Sequence, residues 1–121
     1  MKTEEFNKTI EEFEKDSREL LLSKGRDYTN EVDRLSNFKE GIDLGVTPLV
    51  HCFLLAKKQF NAIRSYVKGR NESEPIKQRL MDLSNFCKLM YCIIKEEESI
   101  KNPPLVKPGE FYSNGYSASH D

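Results

Sequence analysis

A carboxylate, a guanidinium and a carboxamide, Asp82, Arg79 and Asn85, lie within the stretch 74–86, which otherwise reads as one apolar helix. With Asp82 as the origin and 100° per residue, Leu83, Phe86, Leu89, Met90 and Ile93 fall between about −20° and +100°, and Arg79 falls near +60°. Charge on a face that should be buried is costly unless it is paired. Arg79 and Asp82 are therefore either a structural ion pair three residues apart or part of a polar site inside the fold.

Other polar residues crowd near helix ends and share this chemistry. Lys24, Asp27, Tyr28, Asp33, Arg34 and Asn37 surround a short connection, Lys57 and Arg64 lie on a long helix, and Glu74 stands at the start of the Asp82 helix. Carboxylate oxygens from Glu74 and Asp82, with Asp33 or Glu31, are the donor type that magnesium takes, and lysine and arginine beside them would hold a polyphosphate. That combination would be a metal-assisted hydrolytic site. The competing reading makes each acid a helix cap, a surface charge or half of an ion pair.

Several mechanisms lack their spacing. There is no glycine-rich phosphate loop, no Gly-x-Ser-x-Gly turn and no His-Glu-x-x-His, and the two histidines, His51 and His120, argue against a histidine metal site or a Ser-His-Asp triad. Cys52, Cys87 and Cys92 form no Cys-x-x-Cys pair and sit among apolar residues in helix-like segments, so all three read as reduced core residues. Charged residues make up 32% of the chain and its formal net charge is −1, which argues against general nucleic-acid binding. No apolar run approaches the roughly eighteen residues of a spanning helix, and the Glu-rich start lacks the apolar core of a secretion signal. A cytoplasmic protein without membrane contact is expected.

The elements that must position these residues are helices. Phe6, Ile10, Phe13, Ser17 and Leu20 or Leu21 recur at helical steps, which predicts a first helix from Lys2 to Lys24, closed by Gly25. Asn30 can cap a short second helix from Glu31 to about Ile42 with Leu35, Phe38 and Ile42 on one face. Thr47-Pro48 is the clearest start signal, a capping hydroxyl followed by a proline whose missing N–H costs nothing there. It opens a third helix with Leu49, Phe53, Ala56, Phe60, Ile63 and Val67 as its apolar stripe, ending before Gly69. Lys57, Asn61, Arg64 and Lys68 run roughly 80–140° round from Ala56, as either a solvated flank or an anion site. Ser73 would cap a fourth helix, with Glu74 and Pro75 in its first turn, that continues to about Ile100, where Asn102-Pro103-Pro104 stops it. With no alternating strand pattern, the fold is predicted to be all-α, a four-helix bundle of three long helices and one short one over residues 1–101, with 102–121 as a C-terminal tail. So much apolar surface on few helices predicts a homodimer or a larger homo-oligomer.

Four blocks in order carry a resemblance to a known family. Lys24-Gly-Arg-Asp-Tyr28, Asp33-Arg-Leu-Ser-Asn-Phe38, Leu55-Ala-Lys-Lys58 and the stretch from Glu74 to Phe86 resemble small phage and prophage proteins of the nucleotide-modification-associated type, related to the MazG-like nucleoside triphosphate pyrophosphohydrolases. The resemblance spans about Lys24 to Ile94. It implies an all-helical intracellular dimer that binds a nucleotide and, if active, cleaves a nucleoside triphosphate with Mg²⁺. On this view Lys24, Tyr28, Asn37, Lys57, Arg64, Arg79 and Asn85 would hold the nucleotide, and Glu74, Asp82 and Asp33 the metal. MazG-like enzymes carry Glu-Glu-x-x-Glu on one helix and Glu-x-x-Asp on the next. Here the third helix has no carboxylate between Pro48 and Lys68, and Glu74 and Asp82 are eight residues apart. That departure fits a protein that keeps the pocket and binds a nucleotide without cleaving it, for instance to sequester a signal of host immunity. A structural or protein-binding module is the third expectation.

Overall fold

The computed structural model describes residues 1–28, 33–70 and 75–101, and for 25–28 the backbone path. Three long α-helices dominate it: α1 (Thr3–Tyr28), α2 (Pro48–Val67) and α3 (Ile76–Lys101). Two short 3₁₀ turns, η1 (Ser36–Lys39) and η2 (Ile42–Leu44), lie between α1 and α2. The fold is all-helical, with no strand among the described residues, and no described helix is long and apolar enough to cross a membrane. The expected tail, Asn30, Ser73 and Glu74 lie outside the described residues.

The start and stop signals of α2 act as the residues dictate. Thr47 is the N-cap, its Oγ1 accepting from the Val50 N–H at 3.2 Å, and Pro48 opens the helix. At the other end Gly69 takes a left-handed φ of 84°. Its N–H donates to the Tyr66 carbonyl at 2.9 Å and the Arg70 N–H donates to that of Ser65 at 3.0 Å, the paired bonds of a Schellman cap.

Elsewhere the local signals give way. Gly25 does not end α1, which runs on to Tyr28. Glycine weakens a helix interior by about 1 kcal/mol, which flanking turns packed on a neighbour can offset. The short α-helix expected over 31–42 is instead the two 3₁₀ turns, with 29–32 outside the described residues. Asp33 is the cause at the front: its Oδ1 accepts from the Leu35 N–H at 2.9 Å and its carbonyl accepts from Ser36 at 3.2 Å, so a side-chain turn competes with helix formation. At the back, Gly45 has φ 83° and its N–H bonds the Ile42 carbonyl. Leu35 and Phe38 are buried as the pattern requires, whereas Ile42 is exposed. Pro75 lies just before α3 rather than in its first turn, its carbonyl accepting from Gln78 and Arg79.

Helix α3 is the hub, packing against both α2 and α1, while η1 rests on α2. The core consists of Leu35, Phe38, Cys52 and Ile93, with Leu49, Leu55, Phe86, Leu89 and Met90 packed around it. The apolar face predicted for α3 is thus the face it buries. On α2 the buried line is rotated from the predicted stripe: Cys52 and Ala56 are enclosed, whereas Phe53, Phe60 and Val67 are exposed.

Candidate functional site

The α1–α3 seam is polar where the two helices meet. Ser17 is fully buried, and its small side chain lets the backbones approach. Asn85 of α3 donates through Nδ2 to the Ser17 carbonyl at 2.9 Å. The Lys88 Nζ donates to Ser17 Oγ and to Asn85 Oδ1, each at 3.2 Å. One turn earlier on α3, Asp82, only 5% exposed, meets the Lys24 ammonium of α1 at 3.1 Å. Ser17 pairing with Asn85 and Lys88, and Lys24 with Asp82, sets the two helices antiparallel.

The Lys24–Asp82 pair lies in the wall of a cavity of about 710 Å³ enclosed by the end of α1, residues 33–38, one side of α2 and the middle of α3. Its floor is apolar, formed by Leu21, Leu35, Phe38, Leu55, Phe86 and Leu89. Its polar lining is Lys24, Asp33, Arg34, Asn37, His51, Asp82, Asn85 and Glu96. This is the usual composition and size of a small-molecule site, a predominantly apolar chamber with few polar groups at defined places. The His51 ring meets Phe38 edge to face, with centroids 5.6 Å apart, which fixes the two rings against each other along one wall.

A lysine bridges two acids of the lining. Lys39 Nζ bridges Asp33 Oδ2 and Glu96 Oε1, both at 2.7 Å, and so ties η1 to α3. The Lys39 ammonium and the Leu35 N–H hold the Asp33 carboxyl below the usual carboxylate range, and the two carboxylates raise Lys39 above the usual lysine range.

Five of the candidate residues are thus brought together in one chamber: Lys24, Asn37, Asn85, Asp33 and Asp82. Arg79 does not join them, since its guanidinium donates to Gln59 Oε1 of α2 at 3.1 Å. The Arg79–Asp82 ion pair considered from the sequence does not form: the cation on Asp82 is Lys24, far away in the chain. Lys57 and Arg64 are exposed and stand about 180–200° round α2 from the cavity residue Leu55. Glu74 and the Tyr28 side chain lie outside the described residues. Of the cysteines, Cys52 is buried, its Sγ 3.6 Å from the Phe86 carbonyl, and burial pushes its thiol up to about 11. Cys87 and Cys92 are exposed, which corrects their assignment to the core; Cys92 lines the cavity.

No protein family model, curated protein or solved structure matches the chain. The site must therefore be read from its own chemistry.

His51, Lys39 and Glu96 were the residues that sequence patterning missed. His51 looked stranded because it lies off the apolar stripe of α2, and it became part of the wall once that helix turned its Cys52 side inward. Lys39 and Glu96 are 57 positions apart and share no motif.

The donor set bears on magnesium. Asp33 and Asp82 line the same cavity, but each carries a lysine ammonium at hydrogen-bond distance. Among the described residues no three His, Cys, Asp or Glu side chains cluster as metal ligands do. Asp33 and Asp82 alone, each paired with an ammonium, do not make the carboxylate-rich cage that Mg²⁺ requires, and Glu74 and Glu31, the other expected donors, lie outside the described residues.

Proposed function

We propose that this protein binds a nucleotide, or a phosphorylated small molecule of similar size, in the cavity between α1, residues 33–38 and α3, and that it holds the ligand without cleaving it. The observation that carries this reading is the composition of the cavity: an apolar, aromatic-walled floor of nucleoside size with Lys24 and Arg34 at its polar side. A base would lie against Phe38 and Phe86, a use of apolar area that hydrogen-bond donors and acceptors at Asn37 and His51 make selective. Lys24 keeps ammonium protons beyond the one it gives Asp82, and Arg34 presents a planar fork to phosphate oxygens.

The charge of the lining disfavours a polyphosphate. Lys24 and Arg34 face Asp33, Asp82 and Glu96 across the lining, so the chamber has no excess of positive charge to offset a triphosphate. With two cations against three acids, the lining suits a ligand of low negative charge. The MazG-like pyrophosphohydrolase reading needs Mg²⁺ where Lys24 and Lys39 now contact the acids. On our reading the protein is a phage-type factor of the host cytoplasm that withholds a nucleotide, acting as a homodimer.

The test is thermal stabilisation and calorimetry with a panel of nucleoside mono-, di- and triphosphates and cyclic nucleotides, with and without Mg²⁺, followed by mass spectrometry of the recovered ligand. Binding at a micromolar Kd without metal, intact ligand, and a loss of about tenfold or more in Asn37→Ala and Arg34→Ala are expected. Pyrophosphate release in the presence of Mg²⁺ would establish the hydrolase instead, and a panel without any stabilising ligand would end the nucleotide reading.

A further inference from the structure

The face of α1 that packs on α3 continues, without a partner, toward the N-terminus. Phe6, Ile10 and Phe13 lie within about 40° of Ser17 around the helix axis, so all four belong to one face. Their exposure rises steadily along it: 0% at Ser17, 36% at Phe13, 43% at Ile10 and 53% at Phe6. The helix thus crosses α3 near Ser17 and its first turns stand away from it. Aromatic and branched residues repeated at core spacing, then left in water, mark a surface that something covers. Glu14 and Asp16 flank this stripe, about 60° and 100° from Ser17 on its two sides, Glu11 lies further round at about 120°, and the cations between Thr3 and Asp16 are Lys8 and Lys15 alone.

A second unpartnered face lies on α2, opposite the cavity. Phe53, Lys57, Phe60 and Arg64 follow one another at helical steps within about 60° of arc, all exposed. The chain has no carboxylate from Leu44 to Asn71, so this stripe is apolar and purely cationic. Its aromatics are separated by seven residues, as Phe6 and Phe13 are on α1, which is about 10 Å along either helix. One stripe is apolar with acidic flanks, the other apolar with basic residues between its rings, and the two match in length.

We propose that these faces bind each other between two copies of the chain: the α1 tip of each seats on the Phe53–Arg64 stripe of the other, in a reciprocal two-fold dimer. A two-fold arrangement forms the contact twice and leaves neither stripe open, which closes the assembly. Packing α1 tip on α1 tip would instead set Glu11 and Glu14 against their own copies, and pairing α2 with α2 would oppose Lys57 and Arg64. The acid-to-base pairing avoids both repulsions and fixes the partner. The contact specifies the homodimer of the proposed function and rests on that reading, but it uses neither Lys24 nor any other cavity residue, so nucleotide binding in the cavity is tested separately.

The test is a charge exchange in the full chain. Wild type should elute with a light-scattering mass twice the 14.1 kDa of one chain. The variant Lys57→Glu/Arg64→Glu and the variant Glu11→Lys/Glu14→Lys should each run as a monomer with unchanged helicity by circular dichroism. Mixed in equal amounts they should regain the dimer mass, since each tip then meets a stripe of opposite sign; this also shows that both variants are folded. A monomeric wild type overturns the proposal. So does a Lys57→Glu/Arg64→Glu variant that stays dimeric, or a mixture that stays monomeric. Were wild type a monomer that binds a single-stranded oligonucleotide, and lost that binding with Lys57→Glu/Arg64→Glu, the α2 stripe would be a nucleic-acid surface instead.

Discussion

Replacing Lys24 by methionine keeps the aliphatic stem but leaves the Asp82 carboxylate, 7% exposed, without its cation at 3.1 Å. Two unit charges at that distance attract by about 1 kcal/mol in bulk water and about 5 kcal/mol at an effective dielectric constant of 20. The Lys24 side chain is 47% exposed, which places the pair toward the aqueous end, so about 1–2 kcal/mol is the fitting value. A stranded, buried carboxylate adds a desolvation cost, and Lys24→Met should lose about 2 kcal/mol of stability. Asp82→Asn removes the charge but keeps an oxygen for Lys24, and should lose about 1 kcal/mol. The double variant should lose less than the sum of the two, giving a coupling of about 1 kcal/mol. Urea unfolding followed by circular dichroism at fixed protein concentration measures all four corners, with equal m-values as the check that the unfolded state has not changed. The coupling should shrink at about 0.5 M salt without vanishing, because only one partner is well screened. Additive single effects, with coupling below about 0.3 kcal/mol, would refute the claim that this pair fastens α1 to α3 at the cavity wall.

Two further outcomes follow from the caps and the cysteines. Thr47→Ala removes the acceptor for the Val50 N–H and should cost about 1 kcal/mol in the same urea assay, with Thr47→Asp costing markedly less. A thiol reagent at pH 8 should modify Cys87 and Cys92 rapidly in the native protein and Cys52 only on unfolding, read as two labels and then three by mass spectrometry. Because burial lifts the Cys52 thiol from 9.0 to about 11, the unfolded chain loses this proton first. The contribution is intact below pH 9 and is lost as pH rises toward 11, so wild type should weaken over that window more steeply than Cys52→Ala.

The parts of the fold that are legible in the sequence are those decided within a few residues. Thr47-Pro48 and Gly69 bound α2 because a cap is a local hydrogen-bond problem, solved by the Thr47 hydroxyl and by the left-handed glycine. The buried charge at Asp82 was equally readable, since helical geometry alone puts it among Phe86, Leu89 and Ile93. Its partner was not, because Lys24 reaches it only through the antiparallel packing of α1 on α3, which no spacing within one helix encodes. The same limit explains the candidate site: Lys24, Asp33, Asn37, Asp82 and Asn85 converge, while Lys57 and Arg64, on the same helix as the cavity residues His51 and Leu55, face away.

Helix α2 shows why its core face was misplaced. Counting apolar residues around its axis centres the stripe between Ala56 and Phe60, because phenylalanines dominate any such sum. Packing keeps Ala56 of that stripe and adds Cys52, the small residues, since a backbone can approach α3 closely only where side chains are short. The large rings are thereby displaced to the flank beside Lys57 and Arg64. An apolar moment taken from one chain cannot separate area buried inside the subunit from area destined for a neighbour, as both satisfy the same periodicity. The distinction lies in what accompanies the apolar residues: Cys52 and Ala56 adjoin the small or uncharged groups of a core, whereas Phe53 and Phe60 alternate with cations in a segment without acids. In the proposed dimer, lysine and arginine beside the exposed rings specify the sign of the surface that covers them, and the acidic tip of α1 is, among the described residues, an uncovered surface of that sign.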